Sequence, residues 1–535
     1  MKTKYVVYIM VLILCYSLNI TILFAQQNVT QTKDDPVELA TIVIQGTEAV
    51  DIPGGTKQGP KKTPQLSRER LDSLNTLEKH TAIRLPAVSL PTHSLVRPIA
   101  NGFVKGEVGQ YLTPLIDAGY GFALGGYRLE ANGGIEASNG HVANADYFNA
   151  HAALDAEYIA PEKFIFFGGS KTRTFMRFDR YAHELFALQN PLQRTRTHFI
   201  LGVQTNGAYN GYTYNIGGDW GSSSLAQSND AATNNQLHGF LGATKKIGDF
   251  VVGADANVRF HTLRGSGLHL IDVLGTGEYT IDQFLVKGSA GLQSYTNADG
   301  TTFGAFAVKA KADYSLNASI SIGGFLRSGL VENSFIDVMR MNPYSSGTTV
   351  IEYPRENIVA GGQLWYHPLE KVGATLQASF GSIGNFALWS SMGNGTFGIR
   401  YADVTTIQMQ AELSYSLDEN NLITGNLQAR SVQTVDENTL PYIAPVQTSV
   451  RWDRVWSDKV NTQLTATYIG VRSTGTTVVK QLPGYIDISL RSSYSLTNTL
   501  QFYARLDNLI NANVMVWEGY KERGIFFAAG VVWSF

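Results

Sequence analysis

Tyr401-Ala-Asp-Val-Thr-Thr-Ile-Gln-Met-Gln-Ala-Glu-Leu-Ser-Tyr415 decides how this chain folds. Ile407, Met409, Ala411, Leu413 and Tyr415 alternate with Gln408, Gln410, Glu412 and Ser414. Period two sends successive side chains to opposite faces of a strand, so one face here is oily and the other wet. The pattern recurs: Ile486, Ile488, Leu490 and Tyr494 oppose Asp487, Ser489, Arg491 and Ser493, while Leu500, Phe502, Ala504 and Leu506 oppose Gln501, Tyr503, Arg505 and Asp507. Phe306, Val308, Ala310 and Ala312 oppose Lys309, Lys311 and Asp313, and Phe250, Val252, Ala254 and Val258 oppose Asp255, Asn257 and Arg259.

A soluble sandwich also alternates, but this alternation runs from Gly102 to the end, well beyond the roughly 250 residues at which single soluble cores stop growing. The apolar face mixes Leu and Ile with many Ala and Gly, as suits lipid, which demands no interlocking packing. Aromatic residues recur at strand ends before tight turns: Tyr314-Ser-Leu-Asn, Tyr415-Ser-Leu-Asp and Tyr494-Ser-Leu-Thr, with Trp456, Tyr158 and Tyr366 in similar places. Rings so placed form a girdle at headgroup depth. Beyond the first residues no apolar run approaches the roughly 20 a membrane helix needs, so a spanning structure must be a closed barrel in which every backbone group is paired.

Turn chemistry sets the count. Short turns are expected near Gly125-Gly126, Ala160-Pro161-Glu162, Asn210-Gly211, Lys246–Asp249, Ile281–Gln283, Leu316-Asn317, Pro368–Lys371, Asp418–Asn421, Ser457–Lys459 and Thr497-Asn498. Longer links fall between them, among them Phe178 to Arg196, Ser328 to Arg355, Ser431 to Pro445, Arg472 to Pro483 and Leu509 to Gly524. Ten turns and eleven loops delimit an antiparallel barrel of about 22 strands over 102–535, with strands of about 9–11 residues plus connections. No segment announces itself as a loop constricting the bore.

The chain opens Met1-Lys2-Thr3-Lys4, is apolar from Tyr5 to Leu23 and reaches a small residue at Ala25. This reads as a signal peptide, residues 1–25, directing export with cleavage near Ala25. An amino-terminal anchor is disfavoured by Ser17 and Asn19 and by the missing basic stop. A lipoprotein signal at Cys15 is disfavoured by Leu14. Cys15 is the single cysteine, so the mature chain has no thiolate chemistry. Loss of Lys2 and Lys4 turns 42 basic residues against 44 acidic ones into 40 against 44, which gives no footprint for nucleic acid.

No catalytic, cofactor or metal constellation emerges. His183-Glu-Leu-Phe-Ala187 lacks the second histidine of a zinc helix and lies in an expected surface loop. Gly169-Ser-Lys-Thr172 lacks the Gly-Lys-Ser/Thr order of a phosphate loop. No nucleophile elbow occurs in strand-to-helix context, and the ten histidines are scattered. The charged residues of interest face inward: Arg259, Lys309, Lys311, Asp313, Glu412, Asp487, Arg491, Arg505 and Asp507. They either solvate a lumen or select what passes it.

The last hundred residues resemble the end of a TonB-dependent receptor barrel. The pieces are Leu440-Pro-Tyr-Ile-Ala-Pro445, Leu482-Pro-Gly-Tyr485, Asp507-Asn-Leu-Ile-Asn511, Trp517-Glu-Gly-Tyr520 and Arg523-Gly524 leading into the final strand. In that strand Ile525, Phe527, Val531, Trp533 and Phe535 are in phase, which resembles the carboxy-terminal signal read by the barrel-assembly machinery. Glu38 to Thr47, with Thr41, Ile42, Val43 and Ile44 at its centre, resembles the family's TonB-contacting box or first plug strand. An extended apolar segment of that kind can add to a partner's sheet edge; the alternative is a linker strand that nothing binds. The departure is the plug. Only Gln26 to Asn101 precede the barrel, too short for the family's plug domain, and Gly54-Gly55 with Pro60, Pro64, Pro86, Pro91 and Pro98 argue against a packed one.

The resemblance implies an outer-membrane receptor or transport barrel that takes up or binds a solute with a reduced plug, and not an enzyme. Its expected partners are outer-membrane lipid, the barrel-assembly machinery, an unknown solute, and TonB or a surface lipoprotein. The alternative is a scaffold or secretion barrel whose lumen a partner protein closes; a passive porin ranks third.

Overall fold

The computed structural model describes residues 102–164, 167–297, 300–369, 371–435, 440–475 and 481–535. The expected signal peptide, the region 26–101 and the box residues Thr41, Ile42, Val43 and Ile44 lie outside them.

Twenty-two antiparallel strands form one sheet, from Gly102–Gly109 to Phe526–Ser534. Each pairs with the next, and the first pairs with the last from Phe103↔Ser534 to Gly109↔Ala528, so the sheet closes with no free edge. No helix among the described residues is long and apolar enough to cross a membrane.

The alternation becomes two surfaces. Met409 is 59% exposed and Ile407 54%, with Leu413 and Leu376 on the same outer belt. Gln410 and Glu412 face the bore, opposite Gln377 and Thr375 of the neighbouring strand. Met409→Arg therefore places a charge near the bilayer midplane and is expected to cost about 2–4 kcal/mol, while Gln410→Arg, one residue on, costs much less. Urea unfolding in lipid vesicles checks this; equal costs would invalidate the assignment of faces.

Short turns gather at the end that carries Gly102 and Phe535. Asn210 and Gly211 have φ of 49° and 78°, the doubly left-handed turn whose twist suits a two-residue hairpin. Rings girdle this end: Tyr127 stacks on Tyr158 at 4.5 Å, Phe250 on Tyr279 at 4.3 Å, and Trp533 lies 4.9 Å from Phe535. Ile525, Phe527, Trp533 and Phe535 are all exposed on the outer face.

Two connections differ from expectation. The link expected from Phe178 to Arg196 shrinks to residues 185–192, because Lys171–Glu184 and Gln193–Tyr209 continue as strands above the belt. His183-Glu184 accordingly ends a strand and is not a surface loop: Leu185 is fully buried and Phe186 packs beside it. The turn at Ala160 to Glu162 widens into a link reaching Ser170.

Candidate functional site

The site is the interior of the barrel and the mouth at its loop end. Register places all nine inward charges on the lumenal face, dispersed over it. Arg259 stands opposite His238 and Leu270, Glu412 opposite Asn426, Asp487 opposite Thr467, and Arg491 opposite Arg505. Lys311 pairs with Asp313 at 3.0 Å, Arg505 with Glu107 at 2.8 Å and with Asp507 at 3.1 Å, and Arg259 reaches Glu332. The Asp487 carboxylate accepts from the Asn508 backbone N–H at 3.1 Å. Lys309, Glu412 and Arg491 make no ion pair among the described residues. Two like-charged pairs sit directly opposite each other, Lys287↔Lys311 and Lys309↔Arg327, beside a cavity of about 610 Å³. Such pairs are unfavourable on a dry face and are tolerated where water fills the bore.

The mouth corrects the expectation that no loop constricts the bore. Residues 331–354, which join strands Ile320–Leu330 and Arg355–Leu369, fold inward onto the wall. Ser334 caps a short helix, Phe335–Met341, by accepting from the Asp337 backbone N–H at 3.3 Å. Phe335, Val338 and Met339 are buried against Leu225, Leu263, Leu268, Leu270 and Tyr295. Leu270 is in register with the inward Arg259, so the contact is with the inner face.

Polar latches fix the loop. Arg194, fully buried, donates to the carbonyls of Pro343 (3.2 Å) and Ser345 (2.6 Å), to Gln227 (2.7 Å) and to Asp230 (3.1 Å). A buried guanidinium is tolerable only when its fork is filled in this way. Arg196 donates to the Met339 carbonyl at 3.0 Å, Arg340 pairs with Asp179 at 3.0 Å, and Ser346 donates to Asp230 at 3.0 Å. Sequence reading passed over Arg194, Asp230 and Asp179. Strand phase marks Arg194 and Asp179 as inward, and Asp230 lies in the link between Tyr212–Ala226 and Ala232–Ile247; what they hold depends on a loop more than a hundred residues away.

The terminal motifs complete the rim. Trp517-Glu-Gly-Tyr520 turns tightly at Gly519, whose φ of 84° a side chain would strain. It inserts Tyr520 against Tyr344, stacked at 3.4 Å, and beside Phe186 at 5.0 Å. Trp517 meets Tyr442, Phe397 and Trp389 at 5.0, 5.2 and 5.4 Å. Arg472 donates to the Met515 and Val516 carbonyls, and the buried Asn508 amide bridges Ala512 and Arg523. Burial pushes the Tyr344 and Tyr520 hydroxyls above the usual phenol range, so these two stacked rings stay uncharged. Among the described residues no group of three or more His, Cys, Asp or Glu is placed to hold a metal ion.

No family model matches the chain, and no curated protein matches it. Solved structures do. A structure titled copper transporter OprC shares 14% identity over 81% of this chain and 80% of its own, with a TM-score of 0.64. The ferric-catecholate import receptor Fiu of Escherichia coli K12 shares 10% over 82% of each chain (TM-score 0.62), and the FrpB iron transporter of Neisseria meningitidis 8% over 82% of each (0.65). Identities this low speak to architecture alone. With 22 strands closed first to last, long links gathered at one end and the terminal motifs packed into the collar there, the chain has the fold of a TonB-dependent receptor barrel.

Proposed function

We propose that this protein is an outer-membrane barrel that takes up or binds a solute presented at its loop-bearing mouth, with residues 26–101 serving as a reduced plug. The observation that carries the reading is a receptor-type barrel whose polar inner wall lies beneath a folded, aromatic mouth. The expected export signal over residues 1–25 supports this location. So does the last strand, whose outward Ile525, Phe527, Val531, Trp533 and Phe535 are what we expect the barrel-assembly machinery to read. The structural neighbours are named as transporters and import receptors, which favours transport over catalysis. The alternative, a barrel closed by a partner protein, is weakened because this chain's own loop already occupies part of the mouth.

In a strain whose growth on a solute depends on this gene, deleting Glu38 to Thr47 is expected to abolish that growth while the barrel still reaches the outer membrane. Unchanged growth would remove TonB as the energy source and reduce Thr41, Ile42, Val43 and Ile44 to a linker.

A further inference from the structure

Five glutamines stand side by side on the lumenal wall. Gln363 is in register with Gln377, Gln377 with Gln410, Gln410 with Gln428 and Gln428 with Gln447, one from each of five consecutive strands between Arg355–Leu369 and Val446–Ser457. Gln363 donates to Gln377 at 3.1 Å. The amides of Gln410, Gln428 and Gln447 make no hydrogen bond to any described residue. The next row on the same face reads Thr375, Glu412, Asn426, Ser449 and Thr467. Two cavities lie along the row: one of about 610 Å³, whose charged part around Lys287, Lys309, Lys311 and Arg327 lies on the strands before the row, ends at Gln363 and Gln377, and one of about 270 Å³ is lined by Gln410, Gln428 and Gln447.

We propose that this strip binds an uncharged, hydroxyl-rich chain, a linear oligosaccharide, laid across the strands. The proposal deepens the uptake reading by naming a class of solute. Each primary amide offers two donors and an acceptor, a match for neighbouring hydroxyls that both donate and accept. Neighbouring strands lie about 4.8 Å apart, so the row spans about 19 Å. An extended glycan advances by about one strand spacing per pyranose ring, so successive rings meet successive amides. Trp365 stands two residues from Gln363 on the same face, its ring lying over Gly323 of the preceding strand with Lys311 at 5.2 Å, so it bounds the strip at that end. Glu412 is the one charge in the two rows, and this favours a neutral ligand over an ionic one.

The test is calorimetric titration of the full-length chain in detergent micelles with cellohexaose, maltohexaose and glucose. At least one hexasaccharide is expected to bind, at least tenfold more tightly than glucose. The Gln410→Ala/Gln428→Ala double variant should weaken it at least tenfold, and Gln410→Asn/Gln428→Asn, which keeps the wall polar but shortens the reach, should act in the same direction. Gln204→Ala, on the strand Gln193–Tyr209, should leave binding unchanged, and heat-modifiable mobility on gels confirms that each barrel is folded. The proposal is overturned if neither hexasaccharide binds, or if both double variants bind as the parent does. Binding in micelles needs neither an energy source nor residues 38–47, so failure here leaves the uptake reading standing, and failure of the deletion leaves this one standing.

Discussion

Replacing residues 332–353 with a two-residue Asn-Gly link is expected to raise single-channel conductance in planar bilayers several-fold, measured in a chain that also lacks residues 26–101. The loop lies against lumenal residues from Asp179 to Tyr295, so it occupies cross-section that ions would otherwise use. The barrel should survive its removal, because the strand ladder is independent of it and the strands Ile320–Leu330 and Arg355–Leu369 pair directly with each other. What remains is a lumenal patch of Leu225, Leu268, Leu270 and Tyr295 stripped of its cover. A milder arm is Arg194→Met. It leaves the Pro343 and Ser345 carbonyls without the Arg194 donor and Asp230 with only Ser346 and Thr348 as donors, costs roughly 1–3 kcal/mol of local stability and should appear as frequent brief openings. Conductance unchanged by the full replacement would show that the narrowest point lies elsewhere.

The contrast between barrel and mouth shows what period two can and cannot reveal. Ile407 to Tyr415 declares its two faces because lipid on one side and water on the other impose opposite demands on adjacent residues, and both demands act locally. Asn210-Gly211 declares its turn through its own torsions. Above the outer belt the rule lapses: from Phe178 to Arg196 the strands run on past the lipid, with Tyr181, His183 and Arg194 turned toward a packed mouth, and the alternation fades while the pairing continues. The helix Phe335–Met341 is seven residues long, too short to propagate by itself, and is held by Leu225, Leu268 and Leu270. Trp517-Glu-Gly-Tyr520 was legible as a motif, but its partners Tyr344 and Phe397 were not, since the fold alone brings them together. The glutamine row hides for the same reason: each member is an ordinary inward polar residue until register aligns the five.

Closure makes the last prediction. On the first strand Glu107, 5% exposed, reaches across the final strand to accept from the Tyr503 hydroxyl at 2.8 Å and from Arg505 at 2.8 and 3.1 Å. It can do so because Ala528 and Gly530 lie in the path; a β-carbon on Gly530 would come within 2.5 Å of the Tyr503 oxygen. The pair thus clasps three strands across the seam where the chain's two ends must find each other. Glu107→Ala leaves Arg505 mostly buried with Asp507 as its remaining acid. Removing one partner of a buried pair costs about 3–5 kcal/mol, and Asp507 holds the effect to the lower end, about 3 kcal/mol. Gly530→Val should lose at least as much, since its β-carbon both blocks the reach and comes within 2.5 Å of the Gly106 carbonyl on the first strand, while leaving both charges in place. The measurement is the temperature at which heat-modifiable mobility is lost, with Glu130→Ala as the control, since that exposed carboxylate pairs with Arg128 on a single strand. A seam variant no less heat-stable than the control would mean that the backbone ladder from Phe103 to Gly109 closes the barrel by itself.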